Sequence, residues 1–120
     1  MTAKRFAIAA ALSAAVLIPA SASAFECPKH IAAAQNAIDK VLGDMKGMGK
    51  MMKRSDMALV HALVDDAKMF LASAQHNHAK PRGRYDHGRA IAKADAARGY
   101  AIGAEILHFK MMQAMKKMRK

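Results

Sequence analysis

After Pro28 the chain holds a single further proline, Pro81, set in the polar stretch His76-Asn77-His78-Ala79-Lys80-Pro81-Arg82-Gly83-Arg84-Tyr85-Asp86-His87-Gly88. On both sides apolar residues recur at three- and four-residue steps, and strand-type alternation is absent. Such a chain has little choice but to form helices that double back at this breaker. The stretch also carries three of the six histidines, so the turn that shapes the fold is also the densest source of metal-ligating nitrogen.

Residues 1–24 read as a cleaved secretory signal peptide. Lys4 and Arg5 form a positive start, Phe6 to Ile18 an apolar run, and Ala22-Ser23-Ala24 a small-x-small cleavage pattern. Cys27 lies beyond the cut, so no lipid anchor is expected, and a periplasmic location follows. Residues 25–120 are then one domain, with no later run apolar enough to span a bilayer. Lys4 and Arg5 are two of 20 basic side chains, and the remaining 18 face 9 acidic ones. That surplus favours acidic proteins or anionic membrane surfaces as partners. Nucleic acid is not expected outside the cytoplasm.

The fold expected is all-α, an antiparallel up-down-up three-helix bundle, since short connections make helices antiparallel neighbours. A homodimer would bury more of so thin a core. Helix one is placed from Pro28, a good first helical residue, with Cys27 as its cap. Ile31, Ala34, Ile38, Val41, Leu42 and Met45 form its stripe, and Gly43, Gly47 and Gly49 weaken its end. Helix two is capped by Ser55, with Asp56 in its first turn. It runs to about His76, with Met57, Val60, His61, Val64, Ala67, Leu71 and Ala74 inward. Helix three is capped by Asp86 and continues to about Met118, roughly 50 Å at 1.5 Å per residue. Ile91, Ala94, Ala101, Ile102, Ile106, Phe109 and Met112 are assigned to its inner face. Ala90, Ala94, Ala97 and Ala101, with Gly99 and Gly103, would allow close approach. Its basic, methionine-rich end, Lys110 to Lys120, suits a helix C-terminus.

Folded this way, one end of the bundle collects Cys27, His30, His76, His78 and His87, with Asp86 placed to orient an imidazole. Cys27 and His30 are one turn apart. A helix N-terminus and Lys29 would favour the thiolate, and His76-x-His78 on a loop could offer two nitrogens. Thiolate and imidazole suit copper first and zinc second. The competing accounts are solvated loop histidines and a redox or intermolecular disulfide role for the single cysteine. The opposite end collects Met45, Met48, Met51, Met52 and Met57 with Met111, Met112, Met115 and Met118. These are core or interface fillers, Cu(I) contacts or membrane contacts. A second, weaker metal set is His61, Asp65, Glu105 and His108. Glu105-x-x-His108 has the spacing used by di-iron bundles, but it occurs once, and such sites need it twice with further glutamates.

Cys-x-x-Cys-His is absent, which excludes the usual covalent haem attachment. Non-covalent haem, held by Met45 or Met48 with His61 or His108, is a lesser alternative. No catalytic triad, phosphate loop or carboxylate pair stands out, and Asp65 and Asp66 point about 100° apart on a helix. The expectation is therefore a non-catalytic metal-binding protein for storage, trafficking or tolerance. Its rival is a cationic module that docks on an acidic protein or membrane.

Overall fold

The computed structural model describes residues 20–48 and 50–120, with backbone alone for residues 20–25. The expected leader's Lys4, Arg5 and Phe6 to Ile18 lie outside the described residues, as does Gly49. Three helices form: α1 (Ala20–Lys46), α2 (Arg54–Ala79) and α3 (Asp86–Met118). None of the described helices is long and apolar enough to cross a membrane.

The contacts between helices give the topology directly. His30 meets Asp95 and Lys40 meets Glu105, a constant offset in number, so α1 and α3 run parallel. Lys93 Nζ donates to Ser73 Oγ at 2.6 Å and to Asn77 Oδ1 at 2.8 Å, and Phe70 stacks on Tyr100 with centroids 5.4 Å apart. There the numbers rise on one helix as they fall on the other, so α2 is antiparallel to α3. The bundle is up-down-up, with α3 contacting both other helices more extensively than they contact each other.

Each helix lays one seam into the core with steps of four and three. In α1 it is Cys27, Ile31, Ala34, Ile38, Val41 and Met45. In α2 it is Val60, Val64, Ala67, Leu71 and Ala74. In α3 it is Ala90, Ala94, Ala97, Ala101, Ala104 and His108. Alternating steps of three and four are the repeat of helices packed nearly parallel. The α3 seam is alanine because a helix squeezed by two neighbours gains most contact when its inner side chains are short.

That arrangement corrects the inner face assigned to α3. Ile102, Ile106 and Phe109 are 39%, 51% and 59% exposed, whereas Ala94, Ala97 and Ala101 are fully buried. Leu107, not assigned to the core above, packs against it, as does Met111. His61 is exposed rather than inward. The glycines do not aid the approach either, since a Cβ on Gly99 or Gly103 would meet nothing within 4 Å. Gly99→Ala and Gly103→Ala are each expected to stabilise the fold by about 0.5–1 kcal/mol, because only the backbone entropy of glycine changes. Urea denaturation of the single variants measures this.

The helix starts also differ from those expected. α1 begins at Ala20, which places Pro28 inside the helix, where it lacks the N–H that Ala24's carbonyl would accept. α2 begins at Arg54 with Lys53 at the cap and no side-chain capping bond, so Ser55 is already helical. Asp86 does not cap α3 forward. Its Oδ2 reaches back to accept the Arg82 N–H at 2.5 Å and the Gly83 N–H at 3.2 Å. These loop amides, with Arg89 nearby, hold its carboxyl below the ordinary value of 3.8 despite its burial. The carboxylate therefore ties the loop to the start of α3.

The methionine end divides by burial. Met45 and Met52 are core, Met57 and Met111 flank it, and Met51 and Met118 are 45% and 74% exposed. One seam position is anomalous: His108 is 6% exposed, yet its Nε2 is buried with no hydrogen-bond partner. Such an unmatched group costs about 1–3 kcal/mol.

Candidate metal centre

At the other end of the bundle the three seams finish in heteroatoms. Cys27 stands four residues before Ile31, His78 four after Ala74, and His87 three before Ala90, so each continues its own seam by one step. The same geometry that stacks aliphatic layers therefore stacks a thiol and two imidazoles as the terminal layer.

Cys27 is fully buried, and His78 and His87 are half-buried. One ligand atom from each lies within 4.8 Å of the others. Cys27 Sγ sits 3.8 Å from His87 Nδ1 and donates to the His87 carbonyl at 3.2 Å. The two imidazoles meet edge to face, with centroids 5.5 Å apart. His78 Nδ1 is buried with no hydrogen-bond partner. A tetrahedral ion with Zn–S about 2.3 Å and Zn–N about 2.0–2.1 Å holds sulfur and nitrogen about 3.6 Å apart. The Cys27–His87 pair, at 3.8 Å, is already near that separation. The domain thus carries a Cys/His/His cluster able to coordinate a transition-metal ion. Three protein donors leave a fourth position open.

The other candidates are placed elsewhere, for reasons the helix supplies. α2 runs on to Ala79, so His76 and His78 lie on helix rather than loop and point to nearly opposite sides. His76 is exposed, and its carbonyl accepts the Lys80 N–H. His30 is one residue off the α1 seam, and its Nδ1 lies 2.6 Å from Asp95 Oδ1. Asp86 is turned to the loop amides rather than to an imidazole. In the second set, Glu105 bonds Lys40, and Asp65 is exposed beside Lys68. His61 lines a groove with Asp39, Leu42 and Met57, while Glu105 and His108 line a cleft between α1 and α3. Those four residues are not drawn together.

The thiol's environment reverses the expected trend. Cys27 lies seven residues inside α1, and Lys29 is paired with Glu26 at 3.3 Å. Burial pushes the thiol above its ordinary value of 9.0, opposed by a hydrogen bond from its own backbone. Without metal the group is a neutral thiol. Comparison of the chain with protein families, curated proteins and solved structures returns no match.

Proposed function

We propose that this is an exported, non-catalytic protein that binds a soft or borderline ion, copper first and zinc second, through Cys27, His78 and His87. Its role is storage, trafficking or tolerance of that ion. The observation that carries this reading is the convergence of three donors from three helices, with a buried imidazole nitrogen left unmatched among them. One thiolate and two imidazoles suit Cu(I) and Zn(II) better than hard cations, which need oxygen ligands.

Titration of the purified protein with Zn(II), and anaerobically with Cu(I), tests it. One tight Zn(II) equivalent is expected, lost in His78→Ala and His87→Ala, and the same substitutions should each remove one Cu(I) equivalent. Weak uptake, equal in all three proteins, would end the claim. The raised thiol adds a pH signature. A metal must displace the Cys27 proton, so affinity should climb about tenfold per pH unit until pH passes the raised thiol value. Measured above the range in which imidazoles ordinarily titrate, that slope reports the thiol alone and should flatten in Cys27→Ser.

Export rests on the basic, apolar and small-residue pattern of residues 1–24. Pro28 fits it. Cleavage after Ala24 would leave Phe25, Glu26, Cys27 and Pro28 as the first four residues of α1. The first four N–H groups of any helix lack an intrahelical acceptor, so the proline would then remove no bond the helix could make. N-terminal sequencing of the protein from a periplasmic fraction should begin at Phe25; an intact Met1 would refute it.

A further inference from the structure

We propose that the cleft between the end of α1 and the C-terminal half of α3 is a second metal site. It would be selective for monovalent copper and built from the His108 imidazole with the Met48 and Met112 thioethers. It does not depend on the Cys27 site, from which it is separated by 21 residues of α3, about 32 Å at 1.5 Å per residue.

The seam of α3 is alanine at five successive positions and then, at the sixth, histidine. A further alanine there would continue the packing without an unmatched polar atom. Instead His108 is more than nine-tenths buried with Nε2 unpartnered, and it borders a cleft of about 650 Å³ whose lining includes Met48 and Met112. An imidazole nitrogen and two thioethers form a neutral, soft donor set of the kind Cu(I) prefers. Methionine is unbranched and flexible, which suits the two thioethers that line the same cleft to adjust toward an ion.

The charges around the cleft favour a monovalent guest. Its two carboxylates, Asp44 and Glu105, both accept hydrogen bonds from Lys40, and Lys110 and Lys116 also line it. The lining therefore has more positive than negative groups and holds its acidic oxygens in ion pairs. A hard divalent ion would find few oxygen ligands and stronger repulsion. Ile102, Ile106 and Phe109 supply an apolar wall.

The test uses Cys27→Ser protein, which silences the thiol site, with Ag(I) as a redox-stable stand-in for Cu(I) and methyl-labelled methionine read by NMR. One equivalent should shift the Met48 and Met112 methyl signals and leave Met57 and Met118 in place. Zn(II) should shift neither. His108→Leu should weaken Ag(I) binding at least tenfold while raising Tm by a few degrees, since it removes a buried unmatched group. Met48→Leu with Met112→Leu, near-isosteric changes, should abolish binding with the fold intact. Shifts spread over all methionines, unchanged affinity in His108→Leu, or unchanged affinity in the double leucine variant would each overturn the proposal. Zn(II) binding by the double leucine variant with Cys27 restored reports the first site separately.

Discussion

Cys27→Ser should weaken metal binding by more than a hundredfold, or about 2.7 kcal/mol, read by competition against a chromogenic chelator. Loss of an outer-shell partner to a metal ligand typically costs 10–100-fold, and Cys27 would be the ligand itself and the softest donor in the cluster. The fold should survive, because a serine hydroxyl can donate to the His87 carbonyl that the thiol now meets at 3.2 Å. His30→Ala and His76→Ala serve as controls. His30 is held by Asp95 and His76 faces solvent, so each should leave affinity within about twofold of wild type, a change of only about 0.4 kcal/mol. If His30→Ala matched Cys27→Ser in effect, the ion would instead lie between the first two turns after Cys27 and the flank of α3.

Ile38→Ala should cost about 2–5 kcal/mol of stability, measured by denaturant or thermal unfolding. Ile38 is 1% exposed and is the largest of the fully buried side chains among the described residues. The seam opposite it on α3 is alanine, and short side chains on a packed helix cannot rotate into a vacated volume. Against a net stability of about 5–15 kcal/mol for a domain of this kind, that is a large share. Ile106→Ala should cost well under half as much, since Ile106 is 51% exposed. Equal losses at the two positions would mean that the inner face of α3 had been assigned wrongly.

That contrast marks the limit of pattern reading here. In α1 the bulky apolar residues lie mostly on the buried seam, and in α2 Val60, Val64, Ala67, Leu71 and Ala74 are both the periodic stripe and the buried one although Leu59 and Met69 are exposed, so periodicity and burial agree. In α3 two stripes compete: Ala90, Ala94, Ala97, Ala101 and Ala104 on one side, and Ile102, Ile106 and Phe109 on another. Hydrophobicity alone favours the second. The first is buried because α3 packs against both other helices, and short side chains permit that closeness. His108 belongs to the alanine series by spacing, a signal that was available but masked by pairing it with Glu105.

By itself the sequence determined the number of helices, the turn at Pro81 and the end of the bundle at which sulfur and imidazole gather. These follow from local chemistry: proline and glycine break helices wherever they occur, and three- and four-residue spacing sets one face of any helix. Only the tertiary structure decided which donors meet. Extending α2 past His76 to Ala79 turned His76 and His78 to opposite sides, and the rotation of α1 aimed Cys27 inward and His30 at Asp95. The rotation of a helix about its own axis is chosen by its neighbours, and a shift of one residue, about 100°, separates a ligand from a surface side chain.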